Sequence, residues 1–295
     1  MASTQSKLFH TLLKLINKKG FLRKQLAAGK FDSYNRPEPP SGILKTCYVI
    51  KFQINGRNVF TLKPKNKNFA SKHILYLHGG AYVQGFNRFH WDFLAELVKR
   101  TNCNIVAPDY PLAPAHTYKE SFEMVSALYH HLLLTVNSND LILMGDSAGG
   151  GLALAFAQKL RNEKADQPQQ IILLSPWLDI TMTNPGIKNI ESADPFLKKE
   201  SLQQAGKLYA GSTSPDHYLL SPVYGSLEGL GRLSVFIGSN EILVADARKL
   251  KLQAEAKGIS INYFEYANMV HAWMFLNFPE SKRARQQIFD LIHEY

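Results

Sequence analysis

A single serine lies among small residues in the stretch GDSAG (145–149), where an apolar run meets a helical pattern. The apolar run 141–144 predicts a buried strand, and the pattern over 148–162 predicts a helix. A tight turn at this junction pushes the serine hydroxyl out of the sheet, and only small neighbours let that turn close. The free N–H groups that begin the helix favour negative charge at the same place. We interpret Ser147 as a nucleophile. The alternative, a Walker A phosphate loop, lacks its lysine here.

A serine hydroxyl is a weak nucleophile and needs a general base. Three histidines follow Ser147 in the chain. His217 lies in an irregular stretch and His293 in the last turn of a predicted helix, whereas His271 follows the predicted strand 261–266 after a short loop. Ligand sites of parallel sheets lie at the carboxyl ends of the strands. We therefore predict that His271 is the base.

An imidazole base needs a carboxylate that fixes its tautomer and stabilises its cation. The loop GSNEILVAD (238–246) follows another predicted strand and contains two carboxylates. Glu241 is just past the strand, and Asp246 lies a turn further on. We favour Glu241 as the acid and expect Asp246 to support the loop or the start of the next helix.

Acyl transfer also needs hydrogen-bond donors aimed at the oxyanion. The glycines of LHGGAYVQG (77–85) expose backbone N–H groups after a predicted strand. We predict an oxyanion hole built from the N–H groups of Gly80, Ala81 and Ala148. His78 is expected to brace this loop. A simple glycine turn is the alternative interpretation.

These residues require a sheet that brings several loops to one edge. The stretch 47–62 predicts a hairpin around Asn55-Gly56. The remaining strands are predicted at 73–77, 104–110, 141–144, 171–176, 233–238 and 261–266. Helical patterns alternate with them, which indicates an α/β fold with an eight-stranded, mostly parallel sheet and helices on both faces. The irregular stretch 177–231 is too long for a plain connection, and we expect it to form a lid with residues 1–40.

Composition and charge narrow the class of protein. With 45% apolar and 20% charged residues, the chain is typical of a globular protein, and we predict one domain over 1–295. Two cysteines without metal spacing favour a reducing cytoplasm, and no apolar run is long enough for a membrane span. The net charge of +10 forms no nucleic-acid reader motif.

The N-terminal segment carries much of the positive charge. Apolar residues interleave with its basic residues at helical spacing; these are Leu8, Phe9, Leu12, Leu13, Leu15 and Ile16 among Lys7, Lys14, Lys18, Lys19, Arg23, Lys24 and Lys30. We favour a helix that packs on its own domain. A basic amphipathic helix on an anionic membrane surface remains the alternative.

Six motifs resemble, in order, those of the hormone-sensitive-lipase-like family of α/β-hydrolases. They are HGGAYVQG, DYPLAPAHTY, GDSAGGGLA, SPWLD, GSNEILVAD and HAWMF, and they span about residues 70–280. The resemblance implies the α/β-hydrolase fold, hydrolysis of carboxylic esters, no cofactor or metal, and a helical cap from about 1–40 and 177–231. Ala81 replaces the last glycine of the family's H-G-G-G, and Glu241 replaces its usual aspartate. Pro111 and Ala115 replace an arginine and a glutamate, which alters local bracing.

Three functions remain open after these observations. The first is a serine carboxylesterase for small or short-acyl esters, acting through Ser147, His271 and Glu241. The second is a deacetylase or amidase on the same residues, and the third is a ligand-binding module without activity. A homo-oligomer is compatible with each.

Overall fold

One sheet organises the molecule, and the computed structural model describes residues 3–16, 18–29, 31, 35–65 and 72–294. Its strands are Cys47–Ile54 (β1), Arg57–Pro64 (β2), His73–Leu77 (β3), Asn104–Pro108 (β4), Leu141–Asp146 (β5), Gln170–Leu174 (β6), Arg232–Gly238 (β7) and Asn262–Tyr266 (β8). They lie in the order β1-β2-β4-β3-β5-β6-β7-β8. β2 is antiparallel to β1 and β4, whereas the other neighbours are parallel. The predicted eight-stranded, mostly parallel sheet is confirmed.

The register of the parallel strands aligns their carboxyl ends. Leu77 at the end of β3 pairs with Gly145 of β5, and Leu174 at the end of β6 pairs with both Asp146 and Phe236. The loops that follow β3, β5, β6, β7 and β8 therefore meet at one edge of the sheet. The predicted site residues all lie in these loops or just after them.

Helices cover both faces of the sheet, as predicted. They are Thr4–Leu15 (α1), Phe21–Ala28 (α2), Arg88–Thr101 (α3), Tyr118–Leu133 (α4), Ser147–Asn162 (α5), Ile187–Ile190 (α6), Lys199–Ala210 (α7), Val244–Ala256 (α8) and Pro279–His293 (α9). Successive strand residues point to opposite faces. Leu75 and Leu77 thus join the core under α4, α5 and α8, while Ile74 and Tyr76 join the core under α3 and α9.

The stretch 177–231 is more regular than the sequence indicated. It contains α6, α7 and a 3₁₀ turn at Pro222–Tyr224, so the prediction of an irregular stretch is wrong over 199–210. Gly206 lies inside α7. Because glycine has a low helix propensity, the sequence pattern did not predict a helix there. A Cβ on Gly206 would lie 2.9 Å from Cβ of Ile180. The glycine therefore lets α7 pack closely on the preceding segment.

The N-terminal segment forms two short helices where one was expected. A 3₁₀ turn at Lys18–Gly20 separates α1 from α2, and α2 contacts α7. Some parts of the predicted lid lie outside the described residues, namely 1–2, 17, Lys30 and 32–34. Across the described helices, no segment is both long and apolar enough to cross a membrane.

Candidate active site

Ser147 occupies a sharp turn between β5 and α5. Its φ of 51° is left-handed, a conformation that is unusual for a residue other than glycine. Small neighbours make this turn possible, because a Cβ on Gly149 would lie 2.0 Å from the carbonyl oxygen of Leu77 in the adjacent strand. The backbone thus makes a tight turn at Ser147, at the carboxyl edge of the sheet.

His271 and Glu241 form a hydrogen-bonded chain with this serine. His271 Nε2 lies 3.0 Å from Ser147 Oγ, and His271 Nδ1 lies 2.5 Å from Glu241 Oε2. With the ring proton on Nδ1, the serine hydroxyl donates to Nε2 and the ring donates to the carboxylate. The His271 ring and the Glu241 side chain are both buried. Glu241 lies 94 positions after Ser147 in the chain, and His271 lies 30 positions after Glu241. The structure thus brings together three residues that are distant in the sequence.

Two opposing effects set the basicity of His271. Burial lowers the pKa of the ring, because it disfavours the cation. The neighbouring carboxylates, Glu241 first and then Asp194 and Asp146, together outweigh burial, and the net pKa of His271 is raised above its usual 6.5. These carboxylates therefore make the buried imidazole a stronger base.

Glu241 is itself held by partners that the sequence did not reveal. Its Oε1 accepts hydrogen bonds from Ser175 Oγ at 2.7 Å and from the Gly238 N–H at 2.9 Å. Ser175 Oγ in turn accepts from the N–H of Ala272, next to His271, at 3.2 Å. Ser175 follows β6 in the SPWLD motif, where the sequence predicted no site residue. The Ser175 hydroxyl thus connects the loop after β7, which contains Glu241, with the loop after β8, which contains His271.

Asp246, the competing carboxylate, lies elsewhere. It is in the first turn of α8, where its Oδ1 accepts a hydrogen bond from Asn184 Nδ2 at 2.8 Å. Burial raises the pKa of Asp246 to about 6. The structure therefore places Glu241 rather than Asp246 against His271.

Asp194 connects the 177–231 stretch to the loop after β7 that contains Glu241. The sequence did not predict a role for this residue. Its Oδ1 accepts from the N–H groups of Phe196 and Leu197, and its Oδ2 accepts from the N–H of Ile242, at 2.7 to 2.9 Å. Burial raises the pKa of Asp194 to about 6, against the lowering effect of these hydrogen bonds. The ring of Phe196 lies 5.8 Å from that of His271. This carboxyl group therefore fixes a segment that contacts the candidate base.

The loop after β3 packs directly on the serine turn. The Gly79 N–H donates to Asp146 Oδ1 at 2.8 Å, and a Cβ on Gly79 would lie 2.9 Å from Cβ of Ser147. Gly80 and Ala81 have positive φ values of 125° and 53°, which turn successive peptide groups in different directions. The loop is thus held against the serine by a buried carboxylate and by close contact.

The predicted oxyanion donors have free N–H groups. Within the described part of the chain, the backbone N–H groups of Gly80, Ala81 and Ala148 donate to no protein acceptor. Buried N–H groups without an acceptor are rare, and a bound oxyanion would satisfy them.

His78 has the position of a bracing residue. Its Nδ1–H donates to the carbonyl of Gly79 at 2.7 Å, and its ring stacks on Tyr110 at a centroid distance of 4.3 Å. Burial lowers the pKa of His78 to about 3, so the ring is neutral at physiological pH.

The other two histidines after the serine have different neighbours. His293 Nε2 lies 3.2 Å from the carbonyl oxygen of Arg100, and the ring of His217 packs on Tyr218. Among the described residues, no three or more His, Cys, Asp or Glu side chains are grouped so that they could hold a metal ion.

Comparisons with known proteins identify the family of the chain. Residues 74–275 match a protein family described as having an α/β-hydrolase fold. An esterase from Acinetobacter venetianus is 33% identical over 223 residues, which are 74% of each chain. An acetyl-hydrolase from Streptomyces hygroscopicus is 32% identical over 214 residues, 72% of each chain.

A solved structure extends the similarity to the whole chain. An esterase from the bacterial hormone-sensitive lipase family has a TM-score of 0.84 and 27% identity, with 100% of this chain and 99% of that chain covered. The resemblance seen in the six motifs is therefore confirmed at the level of the family and of the fold. The chain belongs to the hormone-sensitive-lipase-like family of α/β-hydrolases and is a carboxylic ester hydrolase.

Proposed function

We propose that the protein is a serine carboxylesterase that acts through an acyl-enzyme on Ser147. The observation that carries this proposal is the buried chain of hydrogen bonds from Ser147 Oγ through His271 to Glu241, with distances of 3.0 and 2.5 Å. The first step needs a nucleophile, a base on the nucleophile, and a carboxylate on the base. Ser147, His271 and Glu241 are the residues to which we assign these three roles.

The reaction follows from these positions. Ser147 Oγ bonds to the ester carbonyl carbon as its proton moves to His271 Nε2. The tetrahedral intermediate collapses, its C–O bond to the alcohol breaks, and His271 gives the departing alcohol its proton. Water then attacks the acyl-enzyme with its proton going to His271, and Ser147 recovers a proton as the carboxylic acid leaves. Glu241 remains ionised and faces the imidazolium cation in both halves.

The oxyanion of each tetrahedral intermediate needs donors that are already oriented. We assign this role to the N–H groups of Gly80, Ala81 and Ala148. Three features support it: their freedom from protein acceptors, the positive φ values of the loop, and its contact with the serine turn. Removal of one such donor costs about 10²–10³-fold in kcat in other enzymes.

The substrate site needs a cover, and we assign it to the segments 1–40 and 177–231. The segments contact each other through α2 and α7. The first also reaches the oxyanion loop through a hydrogen bond from Gln84 to Gln25, and the second reaches His271 through Phe196. A cover on both sides of the reacting atoms excludes water and shapes the acyl pocket.

A small acyl group is the substrate that we favour. Tyr82 directly follows the proposed oxyanion donors and stacks on Tyr209 of α7 at a centroid distance of 3.7 Å. The ring of Trp177 also stacks on Tyr82, at a centroid distance of 5.5 Å, and all three side chains are fully buried. This closed aromatic wall beside the oxyanion loop favours a compact acyl chain. The similarity to an acetyl-hydrolase also favours a small acyl group. Removal of an acetyl group is therefore the second candidate activity.

A series of p-nitrophenyl esters from acetate to decanoate tests the proposal, with acetanilides as the matching amides. We expect kcat/KM to be highest for the shortest acyl chains and turnover of the amides to be far slower. Ser147→Ala supplies the background for each substrate. A maximum at decanoate would refute the short-acyl assignment, and faster hydrolysis of the amide would favour the deacetylase or amidase.

A further inference from the structure

Helix α1 carries apolar side chains on two faces, and only one face is used by the fold. Leu13 is 4% exposed and Phe9 packs edge-on against Phe278 at 5.3 Å, so this face is part of the core. Leu8 and Leu15 are 71% and 78% exposed. Leu12 and Ile16 are also exposed.

The exposed leucines and the isoleucine form one stripe. Positions 8, 12, 15 and 16 are spaced i, i+4, i+7 and i+8, so they share one face of the helix. Lys7 and Lys14 are exposed beside this stripe, about two helical turns apart. Neither lysine makes an ion pair with a carboxylate of the described chain. The helix therefore presents an apolar stripe with a cationic flank.

The N-terminal segment that contains this stripe carries charge of one sign. Residues 1–30 contain seven lysines and arginines and no aspartate or glutamate. A second copy of the chain would bring the same cations against each other, which disfavours self-association through this face. An anionic lipid surface offers both hydrocarbon for the leucines and negative headgroups for the lysines.

The helix is also anchored, so docking requires no refolding. Its N-terminus is fixed by Ser3, whose hydroxyl donates to Glu280 at 2.9 Å. His10 Nε2 lies 2.9 Å from the carbonyl oxygen of Ala193, close in the chain to Phe196, which contacts the candidate base. A preformed surface loses little conformational entropy on binding.

We propose that α1 docks on an anionic lipid bilayer, with Leu8, Leu12, Leu15 and Ile16 inserted at the level of the acyl chains. Lys7 and Lys14 would then lie among the headgroups. This surface is independent of the proposed chemistry, since none of these side chains takes part in the hydrogen-bonded chain at Ser147.

Vesicle flotation of the full-length protein tests the proposal. The vesicles are equimolar phosphatidylcholine and phosphatidylglycerol, or phosphatidylcholine alone. We expect binding to the anionic vesicles that is weakened at high salt, because screening reduces attraction to the headgroups. The double variant Leu8→Gln/Leu15→Gln should bind about tenfold or more weakly, since it removes the two most exposed members of the stripe. Lys7→Gln/Lys14→Gln should lose most of the preference for phosphatidylglycerol.

Leu134→Gln is the matched control, because Leu134 is 79% exposed but lies in a different part of the molecule. It should float as the wild type does, and thermal melting should show that each variant is folded. Equal binding of the Leu8→Gln/Leu15→Gln variant would overturn the proposal, as would a wild type that does not float. So would a wild-type dimer that the double variant converts to monomer without any flotation, since the stripe would then be a contact between two copies.

Discussion

Replacement of Glu241 by glutamine is the perturbation that most sharply separates the proposed acid from its competitor. The amide keeps the shape of the side chain but can present an N–H group to His271 Nδ1. The ring must then accept at Nδ1 and carry its proton on Nε2, where Ser147 Oγ needs an acceptor. Glu241→Gln therefore removes both the charge and the correct tautomer.

The expected loss follows from the distance between the two groups. Opposite unit charges 2.5 Å apart attract by about 6–7 kcal/mol at an effective dielectric constant of ~20. Loss of the acid in another serine hydrolase costs about 10⁴-fold in kcat, which corresponds to about 5.4 kcal/mol. The two values are of similar size. We expect a loss of about 10⁴-fold for Glu241→Gln.

The assay is steady-state hydrolysis of one soluble ester by three folded variants. Glu241→Asp keeps the carboxylate and should retain far more activity than Glu241→Gln. Asp246→Asn makes the same carboxyl-to-amide change five positions away, at a group bonded to Asn184, and should leave kcat close to that of the wild type. An inactive Asp246→Asn beside a nearly normal Glu241→Gln would refute the assignment.

The remaining predictions concern pH, a supporting hydroxyl and a packing constraint. Because only neutral His271 can accept a proton and Glu241 raises its pKa, kcat/KM should fall with decreasing pH at a midpoint above 6.5, and Glu241→Gln should move that midpoint down. Ser175→Ala removes a hydrogen bond to a charged group and should lower kcat about tenfold with little change in KM, as steady-state kinetics would show. Gly149→Ala should lower the free energy of unfolding by about 3 kcal/mol in urea denaturation, whereas Gly42→Ala, with no atom within 4 Å of its Cβ, should have little effect. A normal Ser175→Ala enzyme, or equal stability of the two glycine variants, would contradict these contacts.

Much of the fold could be predicted from the sequence because the parallel strands are buried on both faces. β5 and β6 are buried along their whole length, and the sequence accordingly shows apolar runs at 141–144 and 171–174. The Asn55-Gly56 pair marked the turn between β1 and β2, which the register places between Ile54 and Arg57. The alternation of these runs with helical patterns was sufficient to predict the sheet.

The positions of the candidate site residues were predictable for a related reason. Ser147, Glu241 and His271 each follow a recognisable strand, and parallel strands bring their carboxyl ends to one edge. Ser175 and Asp194 were missed because their roles arise from contacts with Glu241 and Ile242, 66 and 48 positions away in the chain. A serine or an aspartate in an unpatterned stretch gives no local signal of such a partner.

Covalent labelling by a fluorophosphonate shows which serine of the protein is the nucleophile. The reagent phosphonylates a serine whose hydroxyl is activated by a base, and digestion followed by mass spectrometry identifies the modified residue. We expect one modified site, Ser147, no labelling of Ser147→Ala, and a loss of kcat in that variant of about 10⁶-fold. Ser175→Ala should still be labelled, since its hydroxyl only supports Glu241. Labelling that persists in Ser147→Ala, or that maps to another serine such as Ser175, would contradict the account.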